Sequence, residues 1–135
     1  MIARYIHLKF LFSSIIWIFV SGCSSAPIEK NKGIFMKDNH QLATQVEVML
    51  NQAKSDTSAE KWKNANDSLQ KGIELLGEQY LSQDIVDDTG MKLIVANMAA
   101  SKGDWETAAT VKEKILSSRL QAFRSKIARS SKESE

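Results

Sequence analysis

The residue type best suited to covalent chemistry occurs once: Cys23 is the only cysteine among 135 residues. With no second thiol an intramolecular disulfide is excluded, so Cys23 is either a small buried side chain or a site of modification. Catalytic alternatives are few. His7 and His40 are the only histidines. His40 has Asp38 beside it but no nucleophile of the kind a Ser-His-Asp set requires, and it reads as an exposed polar residue. Asp84, Asp87 and Asp88 stand at i, i+3 and i+4, a spacing that lets three carboxylates of one helix face a cation. The same acids in the first turns of a helix are favoured by its dipole without any ligand, and that reading is adopted. Glu74 and Glu78 are four apart on one helix, yet no partner acid accompanies them as general acid-base work would require. Neither a glycine-rich phosphate loop nor a zinc-like spacing occurs. No catalytic residue, metal ligand or cofactor is therefore assigned, and the chain is expected not to be an enzyme. Trp62, Tyr80 and Trp105 are the candidate protein-binding anchors, with core packing as the competing role, above all for the two tryptophans.

The segment around Cys23 decides how that thiol is used. Met1 to Lys9 contains Arg4 and Lys9 and no acid, Phe10 to Val20 is apolar apart from Ser13 and Ser14, and small residues follow. A basic start, an apolar stretch of about 7–15 residues and a small-residue cleavage site are the parts of a secretory signal. The apolar run is shorter than the roughly 20 residues that a membrane-spanning helix needs.

Val20-Ser21-Gly22-Cys23 resembles the lipobox of bacterial lipoproteins, with Val20 where leucine is usual. The resemblance covers the signal alone. It implies cleavage before Cys23, diacylglycerol on its thiol and an acyl chain on its amine, enough lipid for a stable membrane anchor. Ser24 stands where inner-membrane lipoproteins of enteric bacteria usually carry aspartate, so the resemblance favours the outer membrane with the domain facing the periplasm. Loss of residues 1–22 removes Arg4 and Lys9 and leaves basic and acidic side chains equal in number. A neutral domain argues against nucleic acid as a partner, since such partners demand a basic face. Lys126, Arg129 and Lys132 make the C-terminal end locally basic and read as a solvated tail.

The elements that must position these residues are helices. Residues 23–37 hold the only proline, Pro27, together with Gly33, and read as a lipidated flexible tether whose apolar end, Ile34-Phe35-Met36, docks on the first helix. That helix is expected from Asp38 to Lys54, with Leu42, Val46, Met49, Leu50 and Ala53 at helical spacing. Ser55 to Ser58 should break it. Thr57 and Glu60 have the spacing of a capping box for a second helix that buries Trp62, Ala65, Leu69, Ile73 and Leu76 and ends at Gly77. Ser82 is the expected N-cap of a third helix with Ile85, Val86, Thr89, Leu93, Ala96, Asn97 and Ala100 inward. Gly90 within it suggests a bend or a close helix contact. Lys102-Gly103-Asp104 should end that helix and cap a fourth, running from Trp105 to about Arg129. Its inner residues are Trp105, Ala108, Ala109, Ile115, Leu116, Leu120, Phe123 and Ile127. Residues 38–129 thus form the domain, and residues 130–135 are expected to be a disordered tail. No segment alternates like a strand, so the fold class is all-α: four amphipathic helices as two helical hairpins, either a four-helix bundle or an arrangement like tetratricopeptide repeats.

Ala96 to Leu116 resembles the inter-helix turn of a tetratricopeptide repeat, with Ala99, Ala100, Gly103, Asp104, Trp105, Ala108 and Ala109 in the corresponding places. Ser58 to Leu76 resembles a degenerate second copy, Trp62 and Ala65 matching Trp105 and Ala108. The tryptophans are 43 residues apart against about 34 for the family, and the closing proline is missing, so the resemblance implies similar hairpins rather than membership. Two hairpins are fewer than the three a stacked array needs. They can close into a bundle, form a homodimer, or accept a partner's amphipathic helix in a groove. The expected function is that of a protein-protein interaction module or adaptor, anchored by Cys23, for an envelope protein in assembly or secretion. The pilotins, small helical lipoproteins that guide secretins, share this plan but no residue-level match. The alternatives are a cell-wall-acting enzyme or accessory factor, and a carrier of a small ligand, which the alanine-rich packing disfavours.

Overall fold

Four α-helices follow one another along the chain: α1 (Ile28–Ser58), α2 (Trp62–Leu75), α3 (Gln83–Ser101) and α4 (Trp105–Lys132), with a 3-10 turn at Glu78–Tyr80 between α2 and α3. The computed structural model describes residues 28–134, and Gly33–Glu135 form one compact unit. No strand occurs among the described residues, and the expected all-α class is the observed one. Cys23 and the residues before it lie outside the described part.

Helix α4 is the hub. Its 28 residues span about 42 Å at 1.5 Å per residue, and both α2 and α3 pack along it. Trp62 and Trp105, the first residues of α2 and α4, line one groove, and further along Gly72 faces Leu116. The two helices therefore run parallel, as the second members of two hairpins. Gly72 permits this approach: a Cβ there would stand 2.6 Å from Leu116 Cδ2 and 3.6 Å from Met49 Cβ. Helix α1 lies against the same pair and contributes Ala43, Val46, Leu50 and Ala53 to the core, beside Ala65, Leu69, Ile73, Leu76, Ile115, Leu116, Leu120, Phe123 and Ile127. Arg124 on α4 also holds Glu47 on α1 at 2.6 Å. That bond and the guanidinium's charge keep the Glu47 carboxyl below its ordinary range.

Three boundaries differ from expectation. Helix α1 begins at Ile28 and not at Asp38, so residues 28–37, read as flexible tether, are helical. Pro27 is the last strong helix breaker ahead of it, and a single Gly33 costs a helix only about 1 kcal/mol. Nor does α1 break at Ser55. The Thr57 and Ser58 hydroxyls donate back to Ala53 O (2.6 Å) and Lys54 O (2.9 Å), which keeps both residues in the helix and removes Thr57 from any capping box with Glu60. Helix α4 runs on past Arg129 to Lys132.

The α1–α2 and α3–α4 turns share one geometry. After α3, Gly103 takes φ +79°, with Gly103 N donating to Ala100 O and Asp104 N to Ala99 O, each 3.0 Å. After α1, Glu60 takes φ +58°, with Glu60 N donating to Thr57 O (3.0 Å) and Lys61 N to Asp56 O (2.8 Å). Both are Schellman closures, in which one left-handed residue lets two amides reach back to the last carbonyls. Asp104 then caps α4 by accepting from Thr107 N at 3.1 Å, as expected. Lys61 occupies the same place before α2 and provides no side-chain cap. Gly77, expected to end α2 in this way, has φ −65° and is no left-handed cap. Ser82 holds the N-cap position of α3 in extended conformation, but its hydroxyl makes no capping bond.

Candidate interaction surfaces

The three aromatic anchors fall into two places. Trp62 and Trp105 meet at one end of the unit, where the N-termini of α2 and α4 lie side by side. Together with Lys61, Lys63, Asp104 and Glu106 they line an open groove of about 530 Å³. Both rings are half-buried, Trp62 packs on the core, and Lys63 Nζ sits 5.7 Å from the Trp105 ring centroid, within cation-π range. Hydrogen bonding from Thr107 holds the Asp104 carboxyl below its ordinary range.

Tyr80 lies well away from the tryptophans. It follows the short α2 and meets Phe123, 18 residues beyond Trp105 on α4, a rise of about 27 Å. The rings are 5.6 Å apart at 65°, an edge-to-face pair. Tyr80 also walls a groove of about 490 Å³ between residues 80–85 and the C-terminal half of α4, lined by Ser118, Gln121, Ser125, Lys126, Arg129 and Glu133 among others. Lys126 Nζ donates to Tyr80 O at 3.3 Å. The structure thus brings the two tryptophans together and leaves Tyr80 at a separate surface.

The candidates for acid-base or metal chemistry do not assemble. His40 sits inside α1, exposed, and its carbonyl accepts from Thr44 Oγ1. Glu74 and Glu78 are not on one helix, because α2 stops at Leu75 and Glu78 opens the 3-10 turn. Glu74 accepts from Gln70 at 2.8 Å, while Glu78 stands 4.0 Å from Arg119 Nη2. On α3, Asp87 accepts from Gln83 (2.8 Å) and Asp88 pairs with Lys92 (2.9 Å). Among the described residues no three His, Cys, Asp or Glu side chains group as metal ligands, and no helix is long and apolar enough to cross a membrane.

Two features went unread in the sequence. The inner stripe of α4 includes two cations, Lys112 and Arg119, both almost fully buried. Their helical register with Ala108, Ala109, Ile115, Leu116, Leu120 and Phe123 was the available signal. Arg119 Nε donates to Thr89 Oγ1 at 2.8 Å, and the threonine hydroxyl in turn donates to Ile85 O at 2.6 Å. Arg119 Nη2 is buried without a hydrogen-bond partner. Burial pushes the Lys112 ammonium below its ordinary value of 10.5, with Asp67 and Glu74 acting the other way.

The second feature is the outer face of α3. Met91, Ile94, Val95 and Met98 are 71%, 56%, 55% and 54% exposed and occur at i, i+3, i+4 and i+7, one stripe of a helix. Helix α3 is thus apolar on two faces, since Thr89, Ala96 and Ala99 are buried on the other. Asn97, expected inward, is exposed, and Ala99 fills that side instead. Gly90 makes no close helix contact, because a Cβ there would meet nothing within 4 Å. Comparison with protein-family models, with curated proteins and with solved structures finds no match to this chain.

Proposed function

We propose that this chain is a lipid-tethered interaction module: Cys23 carries the lipid, and the helical unit engages protein at the periplasmic side of the outer membrane, holding or escorting an envelope component. The observation that carries the protein-contact part is the outer face of α3. Four large apolar side chains, each more than half exposed, stand together on one helix, and a patch on the order of a few hundred Å² is near the largest that a monomer ordinarily leaves bare and is often functional. The order of basic, apolar and small residues ending at Cys23 supports the tether. The groove beside Tyr80, lined by Lys126, Arg129 and Glu133, is a separate surface that favours contact with an acidic segment of the escorted protein.

Two measurements test this in the full chain. Metabolic labelling with an alkyne fatty acid should tag the wild-type protein and not a Cys23→Ser variant, whose envelope association should be lost as well. A photo-activated cross-linking residue at Ile94 should give protein adducts in intact envelopes, whereas one at Lys71, on the solvated side of α2, should not. Absence of the fatty-acid tag removes the tether, and absence of adducts at Ile94 removes the interaction surface.

A further inference from the structure

We infer that the occupant of the outer face of α3 is a second copy of this chain, packed antiparallel through α3. This rests on the reading of that face as a protein-contact surface and adds the partner.

The argument is charge self-complementarity. Asp84, Asp87 and Asp88 cluster at the N-terminal end of the apolar stripe, and Lys102 stands in line with it just past the C-terminal end; all four are exposed. Asp84 and Lys102 are separated by 18 residues, five turns of helix, so they share a face with the stripe between them. A parallel pair would set acids against acids. An antiparallel pair about a two-fold axis between Ile94 and Val95 sets Met91 beside Met98 of the second copy and brings Lys102 against Asp87, while Asp88 keeps its partner Lys92 on its own helix. By symmetry each contact occurs twice, the isologous arrangement that closes at a dimer without open-ended growth. The stripe repeats at spacings of three and four residues, as a helix that packs along another helix requires. An anionic membrane surface is a poorer occupant, because the same three aspartates would be pressed against headgroups of like charge.

The face is small for a free dimer. Two such patches bury less than the roughly 1,200 Å² of a standard interface, so association is weak in dilute solution. Chains held on one membrane surface meet at high effective concentration, which is the setting in which such a face pairs.

The test uses the full chain in native envelopes. Val95→Cys, next to the proposed axis, should form a disulfide-linked species of twice the monomer mass under mild oxidation, and Lys71→Cys should not. Asp87→Lys in the Val95→Cys background should lower the linked fraction about tenfold, and adding Lys102→Asp to the same chain should restore it, because the reversed pair is again complementary. All these positions are exposed, and far-ultraviolet circular dichroism of each variant checks that the helices are retained. If Val95→Cys does not link to itself while a photo-cross-linker at Ile94 captures a different protein or phospholipid, the second copy is overturned and the face has another occupant. If neither reaction gives an adduct, the contact surface falls together with the dimer. Linking that ignores both charge changes also overturns the antiparallel pairing.

Discussion

The turn between α1 and α2 is a flawed copy of the turn between α3 and α4, and the flaws can be repaired. Glu60 occupies the left-handed position that Gly103 fills 43 residues later, and Lys61 occupies the capping position that Asp104 fills. A non-glycine residue in the left-handed region costs about 1–2 kcal/mol. Glycine returns part of that gain as lost backbone freedom, about 0.5–1 kcal/mol, so Glu60→Gly should stabilise by about 0.5–1 kcal/mol. The Glu60 carboxylate makes no ion pair among the described residues that would offset this. Lys61→Asp supplies a side-chain acceptor for the first amides of α2, worth about 1 kcal/mol, and removes a cation from the positive end of the helix dipole. Together the two changes should add about 2 kcal/mol. At about 4 °C per kcal/mol for a unit near 100 residues, the thermal midpoint should rise by roughly 8 °C. The assay is thermal unfolding followed by circular dichroism at 222 nm, with Gly103→Ala as the mirror experiment, expected to lower the midpoint. The reasoning is refuted if Glu60→Gly leaves the midpoint unchanged or if Gly103→Ala costs nothing, since either result would mean that backbone handedness does not limit these turns.

Three more outcomes follow from particular residues. Gly90→Ala should stabilise by about 1 kcal/mol in urea unfolding, because the new Cβ meets nothing within 4 Å and alanine is the better helix former; a loss of stability would contradict the open surroundings. Thr89→Val should cost about 1–3 kcal/mol by stranding the buried Arg119 Nε, whereas Arg119→Met should be neutral to within about 1 kcal/mol. In the Arg119→Met background the cost of Thr89→Val should shrink, and a double-mutant cycle that is additive would sink this account. Lys112 has a lowered pKa in the folded state because of burial, so the unfolded chain binds more protons between that value and about 10.5. Stability should therefore climb with pH across that window, and Lys112→Met should flatten the climb; equal slopes in the two proteins would show that Lys112 is not its source.

What the sequence made legible was periodicity, and what it hid was where that periodicity ceased to discriminate. Helices α2 and α4 alternate apolar and polar faces clearly enough that Ala65, Leu69, Ile73, Ile115, Leu116 and Phe123 could be placed inward, and they are buried. The Gly103-Asp104 turn was readable because each residue has the chemistry of its position. The first turn was not: Thr57 and Glu60 carry the letters of a capping box, but the threonine hydroxyl has an equally good partner one turn back within α1. Lys112 and Arg119 were passed over because charged residues are rarely buried, although their register lay within the inner stripe. Helix α3 was the hardest to read, since apolar residues on both sides leave periodicity unable to choose a core face, and one member of the expected stripe, Asn97, points outward.

That ambiguity in α3 follows from the architecture. Two hairpins have three ways to cover their apolar faces, and closing on themselves works here for α1, α2 and α4, which share one core around Leu69 and Leu116. Helix α3 packs along α4, burying Thr89, Ala96 and Ala99 and setting Leu93 against that core, so one of its faces is covered within the chain. Ile85 and Leu93 are half-buried on the inward side, while four further large apolar side chains, Met91, Ile94, Val95 and Met98, stand exposed on the outer face. A helix selected only to finish a closed bundle would carry the large residues inward and polar ones outward. Helix α3 keeps large residues on its outer side as well, and under the dimer proposed above that exposed share is covered by α3 of the second copy. In that proposed pairing the acidic end and the basic end at opposite limits of the same stripe favour the antiparallel direction.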